Sequence, residues 1–266
     1  MYSIGRFYLL ACAFSWACWF PYIRPLWFPG WSLSAVPHYL GLAGPMLAGL
    51  YLTWRERGQA GLQKLVQRMV IPRRPLFYEL VVPLLPLGLV LGVAWVSARW
   101  QGIAVDWMAI WRTSELPAIK PFPYLLLTLG WVGLGEETGW RGYALPRLLN
   151  QHTALGASGW LTLGWAVWHW PLFLYARSGF SRLDGAGLAG WLVSLWCGSI
   201  LFTFLFSRSR GSILACALFH GLMDVAFMAN LPIPGLQTVV GATVTVAGLV
   251  VSGLYAVGRL PVRGSE

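Results

Sequence analysis

Residues 188–206 read LAGWLVSLWCGSILFTFLF and contain no Asp, Glu, Lys, Arg or His. A helix needs about 20 consecutive, mostly apolar residues to cross a bilayer, so this stretch predicts a transmembrane helix. Seven other stretches have a similar length and apolar character: 4–23, 35–54, 76–98, 121–146, 155–174, 211–229 and 236–258. The predicted fold class is therefore all-α, a polytopic membrane protein of about eight transmembrane helices.

The composition of the whole chain excludes a soluble globular protein. Of its 266 residues, 57% are hydrophobic and only 11% are charged, whereas about 25% of a soluble domain is charged. The 19 Lys and Arg outnumber the 9 Asp and Glu and give a net charge of +10. These basic residues lie mainly between the apolar stretches, which indicates membrane lipids and not nucleic acid as partners. Since no linker or internal repeat interrupts the chain, we predict a single integral membrane domain over residues 1–266.

The positions of Lys and Arg also predict an orientation, because loops rich in these residues face the cytoplasm. The segment between the second and third stretches holds six of them: Arg55, Arg57, Lys64, Arg68, Arg73 and Arg74. Placing this segment in the cytoplasm puts both termini there. The first stretch carries Trp16, Trp19 and Pro21 and is longer than the apolar part of a signal peptide, so we expect a retained span. The Arg-rich, Lys-poor composition is typical of a GC-rich bacterial genome and predicts the bacterial inner (plasma) membrane.

The basic segment contains a second pattern. Leu62, Leu65, Val66 and Met69 recur at helical spacing with polar residues between them. This predicts a short amphipathic helix at the membrane surface, with the role of an anchor and not of specific lipid recognition.

A few ionisable residues interrupt the apolar stretches. Such a residue costs about 3 kcal/mol or more in a bilayer unless it is paired or faces a wet cavity. They form three motifs on three predicted spans: Glu136-Glu137-x-x-x-Arg141, Trp165-x-x-x-His169 and His220-x-x-x-Asp224. Because three independent polar intrusions are hard to explain separately, we expect the helices to enclose an intramembrane polar cavity with one function.

Helical geometry divides the roles within these motifs. Glu137 and Arg141 have the four-residue spacing of an ion pair along one helix face, whereas Glu136 points about 100° away from Glu137. If Arg141 neutralises Glu137, Glu136 remains free for chemistry. His220 and Asp224 are also four residues apart and can project into the same cavity.

Two kinds of hydrolytic chemistry fit these residue types. A carboxylate in a low-dielectric cavity can take and return a proton near neutral pH, so Glu136, with His169 beside it, can activate a water for attack on a peptide carbonyl. His220 and Asp224 can then stabilise the oxyanion, provided that Asp224 is protonated or acts through His220. Alternatively, these histidines and carboxylates can bind a divalent metal such as Zn²⁺ that activates the water. Residue types alone do not choose between the two.

Each motif also has a structural interpretation. The pair of Glu137 and Arg141 can simply join two helices, so we assign it a supporting role, with Trp165 as an aromatic wall beside His169. A single buried histidine is more often structural than catalytic. Likewise, His220 and Asp224 can form a polar clamp between helices.

The three motifs, in this order, resemble those of the CPBP family, the CAAX-protease and bacteriocin-processing group that includes the Rce1-type proteases. They lie within residues 121–230. The resemblance implies an eight-helix intramembrane endopeptidase in which Glu136 and His169 activate water and His220 and Asp224 complete the site. It also implies a membrane-associated or lipidated protein or peptide as substrate: eukaryotic members remove the three residues after a prenylated cysteine, and prokaryotic members are linked to peptide maturation, bacteriocin immunity or membrane proteolysis.

Two residues depart from the family pattern. The second motif usually begins with Phe and here begins with Trp165, while the third ends in Asp224 where Rce1-type members have Asn. An ionised Asp cannot donate a hydrogen bond to an oxyanion as an Asn does, which favours a metal or a protonated Asp224. The family has been interpreted both as metalloproteases and as metal-free glutamate-dependent proteases, so the metal and its ligands (Glu136, His169, His220, Asp224) stay an open alternative.

Two other classes of function fit the same residues. A non-catalytic immunity or scaffold protein would keep the polar cluster for binding. A proton-coupled transporter would use Glu136 and the histidines as a proton relay, but the sequence shows no pair of broken spans in matching halves. The intramembrane endopeptidase is the leading hypothesis.

Overall fold

The structure, a computed structural model, describes residues 2–23, 36–113, 116, 118–175 and 179–260, and these residues contain no β-strand. Their eight main helices are α1 (Tyr2–Ile23), α2 (Gly44–Val70), α3 (Phe77–Gln101), α4 (121–149), α5 (Ala154–Phe173), α6 (Gly185–Arg208), α7 (Ile213–Met228) and α8 (Leu236–Ala256). A short helix, Val36–Gly41, precedes α2. Each main helix overlaps with one of the predicted stretches, and the predicted all-α class is confirmed.

The helices differ in hydropathy according to their place in the molecule. Within the described residues, α3, α6 and α8 are long and apolar enough to cross a membrane, and no more than 33% of the most apolar part of each is buried. The helices that carry the three polar motifs, α4, α5 and α7, are more buried than these three. Apolar side chains suit a surface that contacts lipid, whereas polar groups in a bilayer face the protein interior. The chain is therefore an all-α integral membrane protein with its polar motifs in the core.

Two clusters of buried side chains surround these central helices. One joins α1, α2, α4, α5, α6 and α7 around the fully buried Trp19, Trp140 and Trp168. The other joins α3, α7 and α8 through residues such as Val90 and Val225. Since α7 contributes to both clusters, its position relative to α4 is fixed from two sides.

Helix α4 is irregular where it carries the two glutamates. Two π-helical segments, Leu126–Gly133 and Thr138–Ala144, flank the α-helical turn Leu134–Glu137. A Cβ atom on Gly133 would lie 2.2 Å from the carbonyl oxygen of Ala217 in α7, and one on Gly139 would lie 2.3 Å from that of Pro45 in α2. Only glycine permits these approaches, which bring the glutamates between the two glycines into the core.

Helix α2 is longer than the predicted second span. The hydropathy falls at residue 54 because charged residues begin there, but the helix continues to Val70 and ends before Pro72. The predicted amphipathic helix is therefore helical but continuous with α2, apart from a break at Gly58 (φ 60°, ψ −160°). Leu65 is buried and lies close to Gly142 of α4, so the segment packs against the protein. The predicted orientation, the bacterial inner membrane and the anchor role stay predictions.

Candidate active site

The two adjacent glutamates of α4 are both buried, with relative exposures of 3% for Glu136 and 0% for Glu137, but they have different partners. The Oε2 atom of Glu136 accepts hydrogen bonds from two indole N–H groups, Nε1 of Trp165 at 2.8 Å and Nε1 of Trp140 at 3.4 Å. Both donors are uncharged. Glu136 is therefore held in place without a cation directly on its carboxylate.

Glu137, in contrast, is tied to two basic side chains. Its Oε1 atom lies 2.8 Å from Nη1 of Arg141, as the four-residue spacing predicts, and 2.7 Å from Nδ1 of His220. The guanidinium of Arg141 is fully buried and lies over the rings of Phe202 at 4.1 Å and Trp165 at 5.0 Å. Glu137 therefore links α4 to α7, which is more than the local ion pair that the sequence predicts.

The imidazole of His220 lies between three carboxylates. Because a carboxylate oxygen only accepts, the hydrogen bond to Glu137 places a hydrogen on Nδ1. The other nitrogen, Nε2, is 3.9 Å from Oε1 of Glu136 and 3.9 Å from Oδ2 of Asp224. The side chain of Asp224 is 30% exposed, against 7% for His220. The structure thus brings these predicted site residues together, with Asp224 on the more open side.

His169 is placed differently from the prediction that it lies directly beside Glu136. Its Nδ1 atom is 2.8 Å from the carbonyl oxygen of Trp165, and since a carbonyl accepts, Nδ1 carries the hydrogen and Nε2 the lone pair. In the part of the chain that is described, no hydrogen bond or ion pair joins His169 to the other three predicted catalytic side chains. The ring of Trp165 lies between the imidazoles, with centroid distances of 5.8 Å to His169 and 5.7 Å to His220.

Comparison with known proteins identifies this region. Residues 118–226, which include all seven predicted site residues, match the family model described as type II CAAX prenyl endopeptidase Rce1-like. Residues 118–226 are therefore similar to an Rce1-like domain. Over 94 residues it is also 33% identical to CAAX prenyl protease 2 of Methanococcus maripaludis. That alignment covers 34% of this chain and 34% of that protein, so the chain matches about a third of the length of this curated relative. The resemblance to the CPBP family is confirmed.

The Rce1-like domain does not present the predicted metal ligands as a set. Within the described residues, no group of three or more His, Cys, Asp or Glu side chains is arranged to hold a metal ion. A catalytic zinc ion takes three protein ligands and a water. Here Nε2 of His220 is 3.9 Å from the carboxylates of Glu136 and Asp224, and His169 makes its hydrogen bond to the carbonyl oxygen of Trp165. The predicted ligand set therefore does not fit these positions, and we derive no catalytic step through a metal.

Two hydrogen bonds to Glu136 are not predicted from the sequence. Trp140 is a second donor to Glu136, and its four-residue spacing from Glu136 is a signal that could have indicated this contact. Trp165 donates a hydrogen bond to Glu136 in addition to forming the predicted wall beside His169. This contact spans 29 residues along the chain, so no local pattern predicts it.

Proposed function

We propose that the chain is an intramembrane endopeptidase that hydrolyses a peptide bond in a membrane-associated or lipidated protein or peptide. The observation that carries this proposal is the approach of Glu136 and His220 in a buried site, with His220 held by the pair of Glu137 and Arg141. The Rce1-like domain and the similarity to a CAAX prenyl protease support the same class of reaction.

In this proposal Glu136 is the general base. The two indole donors on Oε2 stabilise its ionised form and fix the carboxylate, which leaves Oε1 to accept a hydrogen bond from a water. His169 acts on Glu136 through Trp165, whose backbone carbonyl it binds and whose ring it contacts. As the water oxygen bonds to the carbonyl carbon, its proton moves to Glu136.

His220 stabilises the negative oxygen that forms in this step. When Nε2 is protonated it can donate a hydrogen bond to the oxyanion, and Glu137 stabilises the imidazolium from the Nδ1 side. Asp224 then acts through His220 as a further partner of the imidazolium, which removes the need for it to donate as an Asn does. The intermediate breaks down when the C–N bond cleaves and the proton held by Glu136 passes to the leaving amine.

The substrate is tested directly with the purified chain in lipid nanodiscs. One peptide ends in a farnesylated cysteine followed by three residues, and a matched peptide has the same sequence without the lipid. We expect release of the C-terminal tripeptide, detected by mass spectrometry, and faster release from the lipidated peptide. Equal rates of release from both peptides would indicate that the enzyme does not recognise the lipid and that its substrate is an unmodified membrane peptide. Binding of the peptides without any cleavage would favour the non-catalytic scaffold.

A further inference from the structure

A second candidate site lies away from the glutamates, between α1 and α2. It is a cavity of about 410 Å³ lined by Arg6, Leu9, Leu10, Tyr51, Leu52, Arg55 and Glu56. This volume is within the range of small-molecule sites, which is about 300–1,000 Å³. None of the residues proposed for catalysis lines it.

The lining of this cavity has a charged end and an apolar end. Arg6 and Arg55 are exposed, and neither has a hydrogen-bond or ion-pair partner among the residues that the structure describes. The apolar part includes two side chains that face outward, Leu9 at 68% and Tyr51 at 50% exposure. Such a surface matches a ligand with an anionic group and a hydrocarbon chain.

The one acidic residue of the lining, Glu56, is already neutralised by other groups. Its two carboxylate oxygens accept hydrogen bonds from the hydroxyl of Tyr143 and from the guanidinium of Arg147, whose cation lies 3.5 Å from the centroid of the Tyr143 ring. Glu56 therefore does not cancel the charges of Arg6 and Arg55. The cavity keeps an excess of positive charge at its mouth.

We infer that this cavity binds an anionic phospholipid, with the phosphate between Arg6 and Arg55 and an acyl chain against Leu9 and Leu10. Arg6 lies in the first turns of α1, and Arg55 directly follows the predicted span 35–54. Both side chains are thus at the level where a span meets the headgroups, and basic pockets between helices at this level bind phosphate headgroups.

The inference is tested by native mass spectrometry on the full chain, which counts phosphatidylglycerol and phosphatidylcholine molecules that stay bound after release from detergent. We expect preferential retention of phosphatidylglycerol. Arg6→Gln/Arg55→Gln reduces this retention by roughly tenfold or more, since each arginine near the surface contributes about 1 kcal/mol. Arg74→Gln/Arg259→Gln, which removes two exposed charges outside the cavity, leaves the retention unchanged.

A second variant tests the contact with the acyl chain independently of the contact with the headgroup. Leu10→Trp fills the apolar part and keeps both arginines, so we expect it to lower retention of phosphatidylglycerol as well. Glycerol phosphate, the headgroup without a chain, competes weakly. Equal retention of the two lipids by the unmodified chain, or an equal loss in both double arginine variants, would overturn the site. Unchanged retention of phosphatidylglycerol in Leu10→Trp, or its full displacement by glycerol phosphate, would overturn the placement of the acyl chain against Leu9 and Leu10.

Discussion

The neighbouring carboxylates of Glu136 and Glu137 on α4 have different hydrogen-bond partners. Glu137 is bound by a guanidinium and an imidazole, and a buried charge that is paired in this way is costly to disturb. Glu136 receives neutral N–H donors on one oxygen, and Nε2 of His220 lies 3.9 Å from the other, so it can exchange a proton without breaking a hydrogen-bonded ion pair. This difference supports the proposed roles of Glu136 as the general base and of Glu137 in the orientation of His220.

The hydrogen bond from Trp165 gives the first prediction. Trp165→Phe keeps an aromatic ring between the imidazoles but removes the donor to Oε2 of Glu136. A hydrogen bond to a charged group contributes about 1.5–3 kcal/mol, so we expect kcat for peptide cleavage to fall by about tenfold to a hundredfold while KM changes little. Steady-state kinetics in nanodiscs measure both constants.

Trp170→Phe is the matched control, because Trp170 lies on the same helix and is 58% exposed. We expect it to retain full activity. A kcat for Trp165→Phe within twofold of the unmodified enzyme would contradict a role for the indole donor.

The same residues show what a sequence can predict about this site. The pairs of Glu137 with Arg141 and of His220 with Asp224 follow from helical spacing, and both lie on shared faces. The bonds from Glu137 to His220 and from Glu136 to Trp165 join residues 83 and 29 positions apart. They depend on how the helices pack, which spacing along one helix does not determine. Likewise, the separation of His169 from Glu136 by Trp165 becomes visible only in the packed structure.

At the scale of elements, the glycines of α4 determine how closely this helix approaches α7 and α2. Gly133→Ala places a methyl group against the backbone of Ala217, and a backbone cannot move aside as a flexible side chain can. We expect α4 and α7 to separate and His220 to lose its alignment with Glu136. Since a misplacement of about 1 Å can cost about a hundredfold in rate, the cleavage assay measures a loss of that order.

Gly130→Ala is the control on the same helix, because no other atom lies within 4 Å of the added Cβ. Alanine also favours a helix over glycine by about 1 kcal/mol. We expect this variant to cleave at the normal rate. Equal activity in the two alanine variants would show that the close contact of α4 with α7 does not position the site.

The length of α2 illustrates a limit of hydropathy as a guide to elements. Apolar character ends near residue 54, yet the helix extends to Val70, because charged side chains at a membrane surface are compatible with helical backbone hydrogen bonding. A fall in hydropathy therefore does not predict where this helix ends.

At the scale of the whole molecule, α2 and α4 are joined at their polar ends by Glu56, Tyr143 and Arg147. Burial acts to raise the pKa of Glu56, but the hydrogen bonds from Tyr143 and Arg147 and the charges of Arg147 and Arg57 outweigh it and lower the pKa. A carboxyl with a lowered pKa in the folded state stabilises the fold above its unfolded pKa, and this contribution is lost as the pH falls through the folded value.

Glu56→Gln therefore lowers the melting temperature at pH 7, by about 1–3 °C given the partial exposure of the pair. The difference from the unmodified protein narrows as the pH falls below about 4. Asp106→Asn is the control, since the pair of Asp106 and Arg112 is more than half exposed, and we expect almost no change. A difference that stays constant between pH 7 and pH 3.5 would contradict this role for the Glu56 carboxylate.

The arrangement of the whole bundle explains why so few charges carry the proposed chemistry. The most apolar helices are the most exposed, and the more buried helices join Glu137 to Arg141 and His220 and place Glu136 3.9 Å from His220. Composition alone predicts a membrane protein. It is the burial of these few side chains that makes a hydrolytic site the best explanation for them.

The cleavage rate of Glu136→Gln tests the central claim most directly. Glutamine has the same shape and keeps a carbonyl oxygen for the indole donors, but it cannot take a proton. Loss of a general base costs about 10²–10⁴-fold, so we predict a cleavage rate at least about a hundredfold lower at an unchanged melting temperature. A folded Glu136→Gln protein that cleaves within twofold of the normal rate would contradict the account.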